Sequence, residues 1–227
     1  MSLRAIVFDF DGVIANSEPL HFQAFRDVLA DQDIVLTEAQ YYERYLGYDD
    51  VGVFRTLGLD RAQPWTARRI NDFVARKAVR LEALERHTSV LFPGAADAVR
   101  RAAAAVPIAI ASGALGAEIR RVLTREDLIT CFSAIVAAED TSASKPSADP
   151  YLRAIALLTV PAGGRLLPAQ CVAIEDSHWG LQSARAAGLR TVVVTNTYAS
   201  AELSSADLVI DSLSELDLER LRGLCLR

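Results

Sequence analysis

The sequence predicts an α/β fold in which a mostly parallel sheet carries a large helical insertion. The first observation is a short apolar run, Ala5 to Phe8, followed at once by acidic residues. Such a run is typical of a strand that is buried on both faces of a parallel sheet. The second observation is the alternation of short apolar strands with helical segments after Gly94. The third is the stretch 17–88, where helical periodicity continues without a convincing strand.

The apolar pattern also predicts the individual elements. Strands are expected at residues 5–8, 107–111, 134–137, 171–174, 191–194 and 208–210. Helices in the sheet region are expected at 95–105, 116–124, 177–187 and 214–223. A further helix should follow Lys145-Pro146, with Ser147 or Asp149 as its N-cap. In the insertion, helices are expected from residue 17 onward and near 37–46, 49–57 and 64–86.

These elements predict two domains and narrow the function classes. The core comprises residues 1–15 and 92–227, and the helical insertion comprises residues 16–91. The 227 residues include 24 basic and 29 acidic ones, and the net charge of -5 argues against a nucleic-acid partner. No window approaches 18 uncharged apolar residues, and no signal-peptide pattern begins the chain. We therefore expect no membrane partner, a cytoplasmic location and, for the three scattered cysteines, reduced thiols.

Polar residues that can carry chemistry follow the predicted strands. Open parallel sheets bind ligands beyond the carboxyl ends of their strands, so side chains placed there would meet. The residues concerned are Asp9, Asp11, Ser112, Lys145, Glu175 and Asp176. Asp9 and Asp11 are two positions apart, and their carboxylates would repel each other unless a cation or proton lies between them. For this pair taken alone, the alternative is a polar strand end with a turn glycine.

The charge of this group predicts a metal ion. Four carboxylates with one lysine would form a strongly anionic pocket. Mg²⁺ relieves such repulsion and usually takes one or two carboxylates, waters and a substrate phosphate. The sequence contains no Cys/His cluster, which argues against zinc. We therefore expect Mg²⁺ as the cofactor.

The same residues supply each part of a phosphoryl transfer. A carboxylate can attack phosphorus and form an aspartyl phosphate, and its ordinary pKa of about 3.9 leaves it ionised at neutral pH. A second acid two residues further on can protonate the leaving oxygen and later take a proton from water. A lysine and a hydroxyl group, here Lys145 and Ser112, can hold the phosphoryl oxygens.

Four segments resemble the motifs of the haloacid dehalogenase superfamily. Asp9-Phe10-Asp11-Gly12-Val13 is similar to the nucleophile motif, and Ala111-Ser112-Gly113 is similar to the second motif. Lys145-Pro146, followed by Asp149-Pro150, resembles the third, and Ile174-Glu175-Asp176-Ser177 with Gly180 resembles the fourth. All four occur in the family's order and span essentially the whole chain. The insertion is similar to the cap of the phosphatase and beta-phosphoglucomutase-like branch, which implies a Rossmann-like core with an inserted all-helical cap.

The resemblance implies roles in the first and fourth motifs. Asp9 would be the nucleophile and Asp11 the general acid/base. The dehalogenase branch replaces the second acid of the first motif, so an intact Asp11 implies phosphoryl chemistry. Mg²⁺ would be held by Asp9, the backbone carbonyl of Asp11 and Asp176, with Glu175 beside it. The alternative for Glu175 is that it orients Lys145 or a water.

The resemblance also implies substrate-binding residues. Ser112, Gly113 and Lys145 would bind the phosphoryl group, although Ser112 capping the following helix is an alternative. In mutase-like relatives a histidine at the position of His21 helps to place the substrate, and relatives read the substrate with the cap loop that holds Gly47 and Tyr48. The alternatives are a partly exposed helical histidine and an ordinary turn between helices.

Three hypotheses follow for the function. The leading one is a monomeric, Mg²⁺-dependent hydrolase of a small phosphorylated metabolite, working through an aspartyl phosphate. The second is a beta-phosphoglucomutase-like phosphomutase, which must bind a second phosphate in the cap. The stretch Tyr48-Asp49-Asp50 is acidic and unfavourable for this phosphate, although Arg44 or Arg55 would compensate. The third, a non-catalytic phospho-accepting module, is disfavoured by the large insertion and by Asp11.

Overall fold

The computed structural model of the protein describes residues 2–46, 48, 50–86 and 89–226. The chain divides into two units, one of Met1–Asn16 with Val90–Arg227 and the other of Ser17–Ser89. In the described residues the first unit holds a parallel sheet with helices, and the second holds helices only. The predicted fold class, a Rossmann-like parallel-sheet core with an inserted all-helical unit, is confirmed.

The helices of the inserted unit are α1 (Glu18–Ala30), α2 (Glu38–Arg44), α3 (Asp50–Asp60) and α4 (Ala67–Glu85). Those of the first unit are α5 (Ala95–Ala105), α6 (Gly116–Arg125), α7 (Asp149–Leu158), α8 (His178–Ala186) and α9 (Leu218–Cys225). Its strands are β1 (Ala5–Phe8), β2 (Ile108–Ala111), β3 (Phe132–Val136), β4 (Cys171–Glu175), β5 (Arg190–Val194) and β6 (Leu208–Ile210). Within the described residues, no helix combines the length and apolar composition that a bilayer span requires.

The six strands form one sheet in the order β3-β2-β1-β4-β5-β6, and every pairing is parallel. β2 and β3 lie on one side of β1, and β4, β5 and β6 lie on the other side. The strand order therefore reverses between β1 and β4. In open parallel sheets the ligand binds at such a switch point, outside the carboxyl ends of the strands.

The sequence of β1 explains why the strand lies in the centre of the sheet and why it ends at Phe8. Its four side chains, from Ala5 to Phe8, have no exposed surface. Ala5 and Val7 point to one face and pack in a cluster with Tyr151 of α7. Each large aliphatic or aromatic side chain buried in this way contributes about 1.5–3 kcal/mol relative to leaving it in water. Asp9 follows directly, so the chain leaves the apolar layer with a carboxylate at the sheet edge.

The helical unit has an apolar core of its own, built largely from aromatic rings. Phe25 of α1 and Phe54 of α3 have ring centroids 5.1 Å apart, and Phe54 stacks on Phe73 of α4 at the same distance. Trp65 packs on Phe73 with a centroid separation of 4.9 Å. Offset or edge-on aromatic pairs add about 0.5–1.5 kcal/mol to the burial of their area. These contacts join helices that are separated in sequence.

Two predictions about helix starts are wrong. Neither Ser147 nor Asp149 occupies the N-cap position of α7, which is Ala148. Ser147 lies one residue earlier, and its Oγ accepts from the backbone N of Asp149, the first residue of the helix, at 3.3 Å. The last helix begins at Leu218 and not at residue 214, because Asp217 accepts from the backbone N of Glu219 at 2.8 Å and caps the helix there.

Gly180 of α8 provides a test of the packing between β4 and α8. A Cβ at this position would lie 1.9 Å from the side-chain carboxyl carbon of Glu175, whereas a Cβ at Gly223 of α9 would have no atom within 4 Å. We expect Gly180→Ala to lower the free energy of unfolding by about 1–3 kcal/mol through overpacking. Gly223→Ala is the matched control and should raise it by about 0.5–1 kcal/mol. Urea unfolding of both variants measures the difference, and equal stability would contradict this packing.

Candidate active site

Adjacent strands bring the polar residues to one edge of the sheet. Asp9 follows β1, Ser112 follows β2, and Glu175 is the last residue of β4. β1 lies between β2 and β4, so these three positions are neighbours although they are far apart in the chain. The backbone ladder continues past the strand ends: Asp9 N donates to Ile174 O at 2.9 Å. Parallel pairing therefore fixes where these side chains begin.

Lys145 lies between two of the carboxylates. Its Nζ is 2.8 Å from Asp9 Oδ1 and 2.6 Å from Glu175 Oε1. The exposed fractions of these side chains are 12% for Lys145, 11% for Asp9 and 0% for Glu175. Water screens a buried pair weakly, so each charge depends strongly on its partner. The structure thus brings Asp9, Lys145 and Glu175 into one buried ion-pair network.

Asp176 joins this network and gives it an excess of negative charge. Carboxylate oxygens of Asp9, Glu175 and Asp176 lie within 4.8 Å of one another. Asp9 Oδ1 is buried and, among the described residues, accepts no hydrogen bond, although the Lys145 ammonium lies 2.8 Å away as an ion-pair partner. A buried oxygen without a hydrogen bond is costly. A hard divalent cation would satisfy it and balance the charge, so the donor set fits Mg²⁺.

The pKa shifts report the same crowding of charge. Burial raises the pKa of Asp9 well above its usual range, and the Lys145 charge opposes this rise. Burial and the Glu175 charge raise the pKa of Asp176 to about 7. Burial alone would lower the pKa of Lys145, but the charges of Asp9 and Glu175 outweigh it and raise that pKa. A divalent cation among the carboxylates would lower their pKa values, because positive charge favours the ionised form.

Glu175 is surrounded by donors. Its Oε1 accepts from Lys145 Nζ at 2.6 Å and from the Tyr151 hydroxyl at 2.5 Å. Its Oε2 accepts from Asp176 N and Ser177 Oγ, both at 3.3 Å. The carboxylate is thus held as a fixed partner of Lys145. Tyr151 cannot be recognised from the sequence, because it occupies an ordinary apolar position of α7 and its hydroxyl contact is 24 residues away in the chain.

Ser112 and Gly113 form the turn after β2. Ser112 Oγ accepts from Ala114 N at 3.1 Å. The first amide of α6, at Gly116, is instead bound by the Glu139 carboxylate at 3.1 and 3.2 Å. The alternative in which Ser112 caps this helix is therefore wrong. As a hydroxyl, Ser112 can still donate to an anion. The space beside Gly113 is open, because no atom lies within 4 Å of the position that a Cβ would take there.

Asp11 lies in the turn beyond Asp9 and is partly buried. It forms a short parallel bridge with Ala15, and its charge contributes to the raised pKa of Asp176. Gly12 has a φ of 75°, a conformation that favours glycine. A Cβ there would lie 1.9 Å from Asp176 Oδ2, so Gly12 also allows the close approach of this carboxylate.

His21 lies on α1 of the helical unit and contacts Lys77, a buried lysine that the sequence does not reveal as buried. Lys77 Nζ lies 3.0 Å from His21 Nδ1 and donates to Asp50 Oδ1 at 2.8 Å. The Lys77 side chain is 2% exposed, and its ammonium lies 4.8 Å from the centre of the Phe25 ring. Lys77 occurs inside a helix among other charged residues, so nothing local in the sequence marks it as buried. His21 is therefore part of a polar cluster of this unit.

The other two residues predicted to bind substrate lie in the sequence between α2 and α3. Gly47 lies outside the described residues. Tyr48 is 55% exposed, and its backbone N donates to Tyr45 O at 3.2 Å. Arg44, a candidate to compensate the acidic stretch, is bound to Asp60, with its Nε 2.5 Å from Asp60 Oδ2. The roles of Gly47 and Tyr48 stay predictions.

The crowded carboxylates predict how stability depends on pH. The pKa of Asp176 is raised on folding, so the metal-free protein loses stability as the pH rises from about 4 to above about 7. We expect Asp176→Asn to raise the free energy of unfolding without metal, on the order of 1–3 kcal/mol at about pH 8 and less near pH 4. Mg²⁺ should stabilise the wild type and leave the variant nearly unchanged. Urea unfolding with and without metal checks this, and a variant less stable than wild type at the higher pH would contradict it.

Comparisons with known proteins agree with the fold and the motifs. A family model described as haloacid dehalogenase-like hydrolase matches residues 6–194. Protein CbbY of Rhodobacter capsulatus is 32% identical over 233 residues, covering 94% of this chain and 95% of that protein. Hexitol phosphatase B of Escherichia coli K12 is 32% identical over 224 residues, covering 97% of each.

A solved structure is similar over nearly the whole chain. The crystal structure of CbbY from Rhodobacter sphaeroides in complex with phosphate has a TM-score of 0.77 and 30% identity, covering 95% of this chain and 96% of that one. A mutant of the same protein in complex with xylulose-(1,5)bisphosphate gives the same values. The family model spans most of the chain, and the two relatives at 32% identity align over 94% and 97% of it. The chain therefore belongs to the haloacid dehalogenase-like hydrolases.

Proposed function

We propose that this protein is a Mg²⁺-dependent phosphatase that hydrolyses a small phosphomonoester, a sugar phosphate or similar metabolite, through an aspartyl phosphate. The observation that carries the proposal is Asp9: a buried carboxylate at the sheet edge, held 2.8 Å from Lys145 and grouped with Glu175 and Asp176. The relatives support the substrate class. One is named a hexitol phosphatase, and the CbbY structures hold phosphate or a sugar bisphosphate.

In the first step an Asp9 oxygen attacks phosphorus and the ester P–O bond breaks. Asp11 donates its proton to the leaving oxygen, so the product alcohol departs neutral. The attacking carboxylate must be ionised, although burial raises the pKa of Asp9. The Lys145 ammonium opposes that shift and favours the charged nucleophile. This step leaves a phosphoryl group covalently attached to Asp9.

In the second step water removes the phosphoryl group. Asp11, now ionised, takes a proton from a water molecule, and the resulting hydroxide attacks phosphorus. The bond between phosphorus and the Asp9 oxygen breaks, which releases inorganic phosphate and restores the carboxylate. The partly buried position of Asp11 in the turn after β1 is compatible with access to water.

The remaining residues hold the phosphoryl group and the cation. Ser112 and the turn at Gly113 would donate to the phosphoryl oxygens, and Lys145 would share its ammonium between these oxygens and Asp9. Mg²⁺, bound by Asp9, Asp176 and the Asp11 carbonyl, would neutralise charge on the transferring group. Glu175 would act beside the cation by holding Lys145, because four donors already occupy its oxygens.

The helical unit would serve as the cap that recognises the rest of the substrate. His21, Gly47 and Tyr48 stay our proposed substrate-binding residues there. The buried Lys77 pairs with Asp50, so this carboxylate adds less uncompensated charge to the turn than the sequence indicates. We also propose, as expected from the sequence, a monomer that acts in the cytoplasm.

Asp9→Asn tests the nucleophile. The amide keeps the size of the carboxylate but cannot form the acyl phosphate, so kcat should fall by about 10³-fold or more. A panel of hexose, hexitol and pentose phosphates with Mg²⁺ would first identify a substrate from the release of inorganic phosphate. Asp97→Asn is the control, because Asp97 is 77% exposed on α5. Its kcat should equal that of the wild type, and full phosphate release by Asp9→Asn would overturn the assignment.

The products formed from beta-glucose 1-phosphate separate hydrolysis from phosphate migration. A phosphatase releases glucose and inorganic phosphate, whereas a phosphomutase forms glucose 6-phosphate. We expect release of phosphate. Arg44 is one of the two arginines considered for binding a second phosphate, and it is already bound to Asp60. Enzymatic detection of glucose 6-phosphate beside a phosphate assay measures both products. Accumulation of glucose 6-phosphate without free phosphate would favour the mutase.

A further inference from the structure

The turn after β5, residues 195–197, belongs to none of the motifs described above, yet all three of its side chains make polar contacts. Thr195 Oγ1 donates to Asp211 at 3.4 Å. Asn196 Nδ2 donates to the backbone carbonyl of Gly12 at 2.8 Å. Thr197 Oγ1 donates to Asp176 Oδ2. Two of these three contacts therefore reach the loops that carry the candidate active site.

Sheet topology explains how this turn reaches the site. β5 is the parallel neighbour of β4, so the turn after β5 lies beside the residues that follow β4. Glu175 ends β4, and Asp176 is the next residue. The pairing of Glu175 with Val193 places the end of β5 level with the end of β4. Thr197 therefore comes from the edge of the sheet on which Asp176 lies.

The contacts of Asn196 and Thr197 converge on one close approach. Asp176 Oδ2 lies only 1.9 Å from the position that a Cβ of Gly12 would occupy. Asn196 binds the carbonyl of the same Gly12, and Thr197 binds the same Oδ2. The turn thus holds both partners, the loop after Asp11 and the carboxylate of Asp176. A side chain as short as aspartate has two rotatable bonds, and a hydrogen bond to one oxygen restricts both.

We propose that Thr197 is a positioning residue for the divalent-cation site, in which its hydroxyl holds the Asp176 carboxylate in the orientation that binds the cation. Asn196 supports it by holding the Gly12 loop against the same carboxylate. This inference rests on the proposed Mg²⁺-dependent function and names a residue outside the four motifs. Hydrogen-bond partners of metal ligands typically change metal affinity by about 10–100-fold when they are removed.

Three variants test the proposal. Thr197→Val keeps the shape of the side chain and removes the hydroxyl, whereas Thr197→Ser keeps the hydroxyl. Thr195→Val is the matched control. It removes a hydroxyl from the same turn, but that hydroxyl binds Asp211 and not a residue of the candidate site. Cation binding is measured directly on the substrate-free protein. Both Mg²⁺ and Mn²⁺ are titrated, and electron paramagnetic resonance monitors the Mn²⁺. Thermal unfolding in the presence of a chelator reports whether each variant is folded.

We expect Thr197→Val to weaken cation binding about 10–100-fold. Thr197→Ser and Thr195→Val should bind as the wild type does. The Mg²⁺ concentration for half-maximal activity should rise in parallel for Thr197→Val, whereas kcat at saturating Mg²⁺ should return close to the wild-type value. A purely structural role would lower thermal stability in chelator without this selective loss of cation affinity. If Thr197→Val does not fold, Thr197→Ala, which introduces no larger group, carries the same expectation.

The outcomes distinguish a failure of the role of Thr197 from a failure of the proposed Mg²⁺-dependent function. Equal cation affinity in the wild type and in Thr197→Val overturns the role of Thr197 and leaves the proposed phosphatase intact. A similar loss in Thr195→Val also overturns it, because the effect would then belong to the turn as a whole. A wild-type protein that binds neither Mg²⁺ nor Mn²⁺ overturns the Mg²⁺-dependent function and this inference together.

Discussion

The rest of the site depends on one interaction, the buried ion pairs of the Lys145 ammonium group with Asp9 and Glu175. Without it, buried carboxylates would face one another, and the burial that raises the pKa of Asp9 would favour its protonated form. Removing one partner of a buried pair leaves an uncompensated charge, which is far more costly than losing an exposed ion pair. Even with Lys145, the carboxylates exceed the positive charge. This excess of negative charge favours a bound cation beside the carboxylates.

The parallel sheet makes this interaction possible. Asp9 and Glu175 come from β1 and β4, which are adjacent in the sheet although the chain between them is more than 160 residues long. The strand order reverses at this pair, which opens a space beyond the strand ends. Tyr151 and Gly180 then hold Glu175 from two helices, one with a hydroxyl and the other by leaving room. The charge environment of the Asp9 carboxylate thus depends on packing that extends well into the core.

The sequence predicted the features that depend on local pattern. An apolar run that ends in an acid marks a buried strand and its terminus, so the position of Asp9 at the sheet edge could be predicted. Tyr151, Lys77 and Thr197 could not, because each resembles an ordinary helix or turn residue until a distant part of the chain supplies its partner. The start of α9 was misplaced because its apolar residues continue through a preceding turn, and only the cap by Asp217 fixes the boundary.

The most direct test of the account is a crystal structure of the protein with Mg²⁺ and beryllium trifluoride, which mimics a phosphoryl group on a carboxylate. The account predicts beryllium bonded to an Asp9 oxygen, Lys145 Nζ within about 3 Å of a fluorine, and Mg²⁺ bound by Asp9 and Asp176. Beryllium bonded to Asp11 or to another residue would contradict it. A structure in which Lys145 has moved out of reach of both the fluoride group and Asp9 would contradict it as well.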